Sequence, residues 1–154
     1  MGRIEGQASE TIEAPIERVF EVAADVEGSP QWQPQIKRAE CAERDADGRQ
    51  VLVDTVTDGK VRELKSRLRF SYDEPTAIHW VQEDGDMSAV EGSWALEDLG
   101  GGTVRATYSL SVDLGRMLGL VIRGPVLDFL RGQMVNSMPG KLKAFVEDEA
   151  GRAA

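Results

Sequence analysis

The feature that most constrains the fold is a regular alternation of mostly apolar and polar residues in the second half of the chain. It is clearest between residues 63 and 72, where Leu64 and Leu68 share one side of the pattern and charged residues occupy much of the other. Because successive side chains of a β-strand point to opposite faces, this pattern predicts a strand with one buried and one solvated face. The stretches 90–97 and 104–113 repeat it. Several strands with one apolar face each require a covering layer, which an amphipathic helix can provide.

Turn-forming residues divide the middle of the chain into separate strands. Combinations of Asp, Gly and Pro recur between residues 36 and 113, and they favour the tight turns that join antiparallel strands. The turn segments are 45–48, 58–59, 73–75, 84–86 and 100–102. They separate six strands, and a further strand is predicted over 8–13, so the sequence predicts seven strands in total.

Helical periodicity is found after the first strand and at the C-terminus. A short helix is predicted over 15–24, because its first residue is a proline, which suits the first helical turn, and a second short helical piece is predicted near Trp32. The Pro-Gly pair at 139–140 should kink or break the C-terminal helix. We expect one α+β domain over 1–154, in which the sheet wraps this long helix and residues 151–154 form a frayed tail. The apolar residues that define the last helix are Leu127, Leu130, Met134, Met138, Leu142 and Phe145.

Charge and composition argue against several classes of function. The formal net charge is −9, so the chain lacks the positive surface that binds nucleic acid. Cys41 and His79 are the only residues of their types, so neither a metal nor another cofactor is predicted. The N-terminal sequence has no apolar signal region, and the most apolar stretch, 117–130, is too short to span a bilayer. We therefore expect a cytoplasmic protein with at most transient membrane contact, in an oligomeric state that the sequence leaves open.

Few residues are candidates for catalysis, and none is assigned a catalytic role. His79 is the only imidazole, and the apolar residues on either side of it predict that it points to the solvated face of a strand. Arg62, Tyr72 and Tyr108 are predicted on the inner face of the sheet. Asp54 lies in a strand with apolar residues on both faces, so the sequence does not show which face of that strand is inward.

Several short motifs carry a resemblance to a known family. They are Thr11-Ile12-Glu13-Ala14-Pro15, Val19-Phe20, Ala24-Asp25, Pro30-Gln31-Trp32, Ile78-His79-Trp80, Gly92-Ser93-Trp94-Ala95-Leu96, 102–108 and 142–147. In these motifs the chain resembles the START-like superfamily (SRPBCC), and within it the bacterial polyketide cyclase/dehydrase and lipid-transport family. The resemblance implies the helix-grip fold: a seven-stranded antiparallel sheet, two short helices after the first strand, and a long C-terminal helix over a cavity. Because the family includes aromatase/cyclases, lipid carriers and sensors of hydrophobic ligands, the resemblance indicates fold more than function.

The leading interpretation is that the protein binds or carries a small apolar, aromatic or lipid-like molecule between the inner sheet face and the last helix. Gly92 should leave open space beside Trp94, and the hydroxyls of Ser66 and Tyr108 should help to orient a ligand. The predicted ligand-binding residues are Leu64, Ser66, Leu68, Phe70, Trp80, Gly92, Trp94 and Tyr108 from the sheet and Leu130, Met134 and Met138 from the helix.

Two alternatives belong to other classes of function. The first is an aromatase/cyclase or dehydratase without a metal, in which Arg62, Tyr72, Tyr108 or Asp54 polarises a carbonyl or moves a proton. The second is an interaction module that docks on a partner or an anionic membrane through 114–130, where positive charges exceed negative ones. A lid over the mouth of the cavity is the other role that the sequence allows for this segment.

Overall fold

A single antiparallel sheet of seven strands forms most of the structure, which is a computed structural model that describes the backbone of residues 2–153 and the side chains of residues 2–148. The strands are β1 (Arg3–Ile12), β2 (Ile36–Arg44), β3 (Gln50–Asp58), β4 (Glu63–Asp73), β5 (Ala77–Gly85), β6 (Ala89–Gly100) and β7 (Thr103–Asp113). Their order in the sheet is β1-β7-β6-β5-β4-β3-β2, so that β1 and β2 form the two edges. The predicted seven-stranded antiparallel sheet is therefore confirmed.

Strand β1 begins at Arg3, earlier than the sequence pattern predicted. Ile4 is fully buried and is paired with Val112 of β7. The first half of the strand was missed because polar residues follow Ile4. Gly6 lies in this half, and a Cβ atom there would come within 3.2 Å of Cγ1 of Val135, so glycine allows the C-terminal region to pack closely on β1.

The register of β3 against β4 determines which face of β3 is inward. Thr55 is paired with Ser66, and Val53 is paired with Leu68. Directly paired residues of antiparallel strands share a face of the sheet, so Val53 and Thr55 lie on the same inner face as Ser66 and Leu68. Asp54, between them, therefore points to the outer face.

The helical elements cover the inner face of the sheet unevenly. They are α1 (Ile16–Ala24), a 3₁₀ turn (Ser29–Gln31), α2 (Gly115–Val121), α3 (Pro125–Arg131), a π-helical segment (Gly132–Asn136) and α4 (Met138–Ala153). The two short helical pieces after β1 match the sequence prediction. Pro15 stands directly before α1, where a proline has no backbone hydrogen bond to lose.

The C-terminal helix is interrupted as predicted, although the break lies slightly earlier than Pro139. The π-helical segment ends at Asn136 and α4 begins at Met138, so Ser137 forms the junction. Pro139 falls in the first turn of α4, where its ring does not disturb the helix. The helical backbone continues to Ala153, which includes most of the predicted tail over 151–154; Ala154 itself lies outside the described residues.

The close-packed core lies where α1 and α4 cross the sheet. Leu142 and Val146 of α4, Ile12 of β1 and Ala106 of β7 are all inaccessible to solvent. Phe20 of α1 is buried beside them and contacts the sheet. Regular helices fill this half of the inner face, and the other half is covered by the shorter and less regular elements.

Candidate ligand-binding cavity

An internal cavity of about 110 Å³ lies under the irregular part of the helical layer. Strands β2 to β7 contribute to its floor, and α1, the loop after α1, the π-helical segment and the start of α4 contribute to its roof. The half-buried residues of the wall are Ile36, Thr57, Leu68 and Met134, and we call the side of the cavity that they line its mouth. For comparison, an engineered apolar cavity of roughly 150 Å³ binds benzene.

Eight of the eleven predicted ligand-binding residues lie in the wall of this cavity. They are Ser66, Leu68, Phe70, Trp80, Trp94, Tyr108, Met134 and Met138. The other three, Leu64, Gly92 and Leu130, do not. Leu64 and Leu130 are instead completely buried in the packed core. The prediction included them because sequence periodicity shows which face of the sheet or helix a residue occupies but not how far the residue lies from a cavity.

The expectation for Gly92 needs a correction, because the space beside it is filled. Trp80 is paired with Gly92 across β5 and β6, and a Cβ atom on Gly92 would clash with Cε2 and Cζ2 of the Trp80 indole. The missing side chain therefore makes room for a neighbouring tryptophan and not for a ligand. Gly92 affects the cavity only through Trp80, which does line it.

Aromatic side chains form a continuous part of the wall. The ring centroid of Trp80 lies 5.6 Å from that of Phe70 and 5.7 Å from that of Tyr108. Tyr108 is in turn 4.7 Å from Trp94, which is 6.3 Å from Trp32 above the sheet. All these contacts are tilted and not face-to-face, a geometry that stabilises aromatic pairs and leaves ring faces and edges available to a bound molecule.

The hydroxyl groups of Thr55 and Ser66 already donate to the protein. Thr55 Oγ1 donates to the Ser66 carbonyl over 3.2 Å, and Ser66 Oγ donates to Gln82 Oε1 over 2.7 Å. Gln82 Nε2 donates to the Met87 carbonyl over 2.8 Å, which completes the chain. These hydroxyls can still accept a hydrogen bond, but they have no proton left to donate to a ligand.

Two hydroxyl groups of the wall, those of Thr57 and Tyr108, have no hydrogen-bond partner among the described residues, and Tyr108 is the more deeply buried of the two. The side chain is only 7% exposed, and among the described residues no group forms a hydrogen bond with its hydroxyl. Every fully buried polar atom of the described side chains has a hydrogen-bond partner. Because the Tyr108 hydroxyl oxygen has none, it is not fully buried, and it borders the open space of the cavity. Burial raises the pKa of Tyr108 above its ordinary range, so the hydroxyl stays neutral and can donate a hydrogen bond.

A cluster of amide side chains at the mouth was not predicted from the sequence. Gln33 and Gln35, in the loop between the 3₁₀ turn and β2, are buried and line the cavity. Lys141 Nζ donates to Gln35 Oε1 over 3.3 Å and to Gln133 Oε1 over 3.0 Å. The loop has no periodic pattern that could have revealed the inward orientation of Gln33 and Gln35.

The remaining unpredicted wall residues are of two kinds. Those on β6 and β7 continue an alternation that is visible in the sequence, whereas those near α1, in loops or on β2 and β3 have no such signal. The full set is Ala23, Val26, Ser29, Gln33, Gln35, Ile36, Thr55, Thr57, Met87, Val90, Leu110 and Val112. No charged side chain is found in the wall among the residues that the structure describes.

Two of the four residues considered for catalysis point away from the cavity. Asp54 lies on the outer face, where the Arg67 guanidinium 2.8 Å away lowers the pKa of its carboxyl group. Arg62 was predicted on the inner face, but it lies in the turn before β4 with its side chain 55% exposed and 3.7 Å from Asp86. The turn places Arg62 outside the alternation of the strand, which explains the wrong prediction.

Tyr72 and His79 also have structural partners. Tyr72 is on the inner face but does not line the cavity, and its hydroxyl donates to the Gln50 carbonyl over 2.6 Å. Burial raises the pKa of Tyr72, so this hydroxyl remains a neutral donor. His79 is exposed as predicted, with Nε2 3.1 Å from Glu91 Oε1.

The segment 114–130 is amphipathic and lies at the surface. Met117 is 82% exposed, and Leu120, Val121 and Phe129 are also largely exposed. Lys60 Nζ, in the turn between β3 and β4, lies 4.6 Å from the centre of the Phe129 ring. None of the described helices combines the length and the apolarity that a bilayer-spanning helix needs.

A seven-stranded antiparallel sheet that encloses a cavity beneath a C-terminal helix defines a helix-grip domain. The family model for polyketide cyclase / dehydrase and lipid transport matches residues 12–139, which include every residue of the cavity wall. The chain belongs to this family, and the resemblance seen in the sequence is confirmed. No match was found among curated proteins.

Solved structures of similar proteins share the fold at low sequence identity. A START superfamily protein from Mycobacterium smegmatis has a TM-score of 0.79 and 21% identity, over 94% of this chain and 97% of that one. TTHA0849 from Thermus thermophilus also has a TM-score of 0.79 and 21% identity, over 94% and 98% of the two chains. The Zhui aromatase/cyclase from Streptomyces sp. R1128 has a TM-score of 0.65 and 18% identity, over 97% and 86%. These similarities establish the helix-grip fold.

Proposed function

We propose that the protein binds and carries a small apolar or aromatic molecule in the internal cavity. The observation that supports this most strongly is the composition of the wall, in which aromatic, aliphatic and methionine side chains surround a few neutral polar groups. Binding sites for small molecules commonly have this division, with apolar residues supplying affinity and a few polar groups supplying orientation. Transfer of an apolar surface out of water contributes about 25 cal/mol per Å².

The size of the cavity limits the ligand that fits without rearrangement. A volume of about 110 Å³ is smaller than the roughly 150 Å³ of the cavity that binds benzene, so a molecule with one or two rings fits only if side chains of the wall move. Met87, Met134 and Met138 line the wall, and their flexible side chains can adjust to ligands of different shapes. A longer, lipid-like ligand would require the mouth beside Met134 to widen.

Catalysis of the aromatase/cyclase or dehydratase type is the second candidate, and Tyr108 is the observation that favours it. Its neutral, unpaired hydroxyl in an apolar site can donate a hydrogen bond to a carbonyl and so polarise it. Arg62, Asp54 and Tyr72 give this candidate no support, because none of them lines the cavity. Proton abstraction would need a base, and the described wall residues include no carboxylate or imidazole.

The test is a binding titration with a neutral fluorescent probe, N-phenyl-1-naphthylamine, on two matched variants of β3. Thr57 reaches the cavity mouth, whereas Val56, the residue before it in the strand, faces outward. We expect Thr57→Phe to weaken probe binding at least tenfold and Val56→Phe to bind like the wild type. Phenylalanine suits a half-buried strand position, so both variants should keep a cooperative thermal transition. The proposal is wrong if the folded wild type binds no probe or if both variants bind equally.

A further inference from the structure

Lys141 lies near the cavity without a negatively charged partner. Its ammonium group donates to Gln35 Oε1, to Gln133 Oε1 and, over 3.4 Å, to the Gln133 carbonyl. No carboxylate of the described residues forms an ion pair with it, and burial lowers the pKa of Lys141. Three neutral oxygens therefore satisfy the donors of this ammonium group but do not cancel its charge.

The lysine determines how the adjacent amide groups are oriented. An ammonium group can only donate, so the oxygen and not the nitrogen of the Gln35 amide must face Lys141. The Gln35 nitrogen, Nε2, is then directed to Gln33 Oε1 at 3.5 Å, the upper limit of a hydrogen bond. Because Gln33 Oε1 accepts from Gln35, the Gln33 nitrogen, Nε2, stands at the end of this series of amides with both of its N–H donors unused.

The terminal amide nitrogen belongs to a side chain that lines the cavity. Gln33 is only 9% exposed and lines the wall, and its Nε2 has no hydrogen-bond partner among the described residues. Because no fully buried polar atom of those residues lacks a partner, this nitrogen must reach open space. The Tyr108 hydroxyl is also an unpaired donor in the wall. The cavity thus presents the Gln33 amide and the Tyr108 hydroxyl as unpaired donors, with the Thr57 hydroxyl as a third at the half-buried edge of the wall, while the protons of the Thr55 and Ser66 hydroxyls are already used.

We infer that the ligand carries a hydrogen-bond-accepting oxygen, a carbonyl or a carboxylate, which the amide of Gln33 binds in an orientation set by Lys141 through Gln35. This inference rests on the proposed function, because it describes the polar end of a ligand whose apolar part occupies the cavity. An amide donor that loses its access to water when a ligand fills the cavity, and that finds no acceptor on the ligand, is unfavourable, so a ligand that supplies the acceptor gains selectivity over one that does not.

The charge of Lys141 distinguishes the two kinds of acceptor. Its positive charge is uncompensated and lies one amide group away from Gln33. Electrostatic interactions are stronger in a partly buried site than in water. A carboxylate should therefore bind more tightly than a neutral carbonyl of the same size and shape.

Three probes with the same ring system separate the contributions of shape, hydrogen bonding and charge. Naphthalene offers no acceptor, 2-acetylnaphthalene offers a carbonyl, and 2-naphthoate offers a carboxylate. Binding can be followed through the fluorescence of Trp80 and Trp94, which line the cavity. We expect 2-naphthoate to bind the wild type at least tenfold more tightly than naphthalene, with 2-acetylnaphthalene between them.

Three variants assign the preference to its residues. Gln33→Met keeps the length of the side chain but removes one of the donors, so it should reduce the preference for both oxygen-bearing probes over naphthalene at least fivefold, and an unreduced preference would overturn the inference. Lys141→Met should reduce the preference for 2-naphthoate at least fivefold. The matched control is Lys143→Met, which removes the same charge from the same helix at a lysine that is paired with Glu147; it should bind all three probes like the wild type. Melting curves verify that each variant is folded, and Gln35→Met, which interrupts the amide chain, replaces Gln33→Met if the latter is unfolded.

The possible failures are distinguishable. If the wild type binds naphthalene but shows no preference for the oxygen-bearing probes, the inference is overturned and the proposed function stands. The same holds if Lys143→Met reduces 2-naphthoate binding as much as Lys141→Met, because the charge then acts without the amide chain. If none of the three probes binds the folded wild type, the proposed function itself fails.

Discussion

The two halves of β7 face the same side of the sheet but have different neighbours. Val104 and Ala106, in the first half, are completely enclosed by α1, α4 and the adjacent strands. Leu110 and Val112, in the second half, border the cavity. Both halves are equally apolar, so the sheet alone does not determine where a cavity forms.

The difference lies in the elements that cover the two halves. The packed half lies under regular helices, and Lys143 of α4 is tied to the C-terminal end of β1 by a hydrogen bond from its Nζ to the Thr11 carbonyl over 2.9 Å. The open half lies under a loop, a 3₁₀ turn and a π-helical segment, which cannot present a continuous ridge of side chains. The packed half therefore maintains stability while the irregular cover leaves room for the cavity.

The largest expected difference between the halves concerns the loss of a leucine side chain. Leu142→Ala, in the packed half, should lower the free energy of unfolding by about 2–5 kcal/mol, because it creates a new void among fully buried residues. Leu110→Ala only enlarges an existing space, so we expect a loss below about 2 kcal/mol. Urea unfolding of both variants provides the comparison. Equal losses would show that the two halves are packed alike.

Gly92→Val tests the contact between Gly92, which lies outside the cavity, and Trp80, which is part of the cavity wall. The added side chain must displace the Trp80 indole, so the variant should lose about 1–3 kcal/mol of stability or more and should also bind the neutral probe more weakly. Thermal melting and probe titration are to be made on the same samples. Ser93→Val, at the next position on the outer face, is the control and should change neither property by much. A stable Gly92→Val variant with normal probe binding would contradict the position of Trp80.

The two tyrosines of the inner face should respond differently to removal of the hydroxyl group. Tyr72→Phe removes the hydrogen bond to the Gln50 carbonyl and should cost about 1 kcal/mol of stability. Tyr108→Phe removes no protein hydrogen bond, so its stability should stay within about 0.5 kcal/mol of the wild type. Its binding of 2-acetylnaphthalene should weaken instead. A larger loss of stability for Tyr108→Phe than for Tyr72→Phe would mean that the Tyr108 hydroxyl has a partner in the protein.

The smallest expected effect is a pH-dependent contribution of Glu147 to the packed half. The backbone N–H of Glu13 and the Lys143 ammonium group lower the pKa of this carboxyl group from its ordinary value of 4.5. A lowered pKa in the folded state stabilises the protein above the ordinary value, and this stabilisation is lost as the pH falls through the lowered pKa. Glu147→Gln should therefore cost about 0.5–1 kcal/mol at pH 7, and the difference from wild type should shrink towards pH 3. Glu97→Gln, at an exposed ion pair, should show little difference at either pH, and a difference that grows on acidification would contradict the assignment.

The sequence predicted the sheet well because alternation is a local property of each strand. It identified all seven strands, and it placed Ser66, Trp94 and Tyr108 on the inner face that borders the cavity. The inward face of β3 was not predictable from that strand alone. It is determined by pairing with β4, where Asp54 is opposite Arg67 on the outer face.

The parts of the cavity that the sequence did not reveal depend on contacts between distant segments. The glycine at position 92 indicates a gap in its own strand, but only the neighbouring strand shows that Trp80 fills it. Gln33 and Gln35 are in a loop without periodicity, and their orientation depends on Lys141, which is far away in the chain. Such side chains can be assigned to a site only after the fold has brought them together.

A crystal structure of the protein soaked with 2-bromonaphthalene is the most direct test of the central claim, which is that the irregular cover leaves an internal site for a small apolar molecule. The anomalous signal of bromine marks the position of the ligand independently of the side chains around it. We predict one site inside the cavity, in contact with Trp94, Tyr108 and Met134. Bromine only on the exposed apolar surface of 114–130, or a cavity closed by the side chains of its wall, would contradict the account.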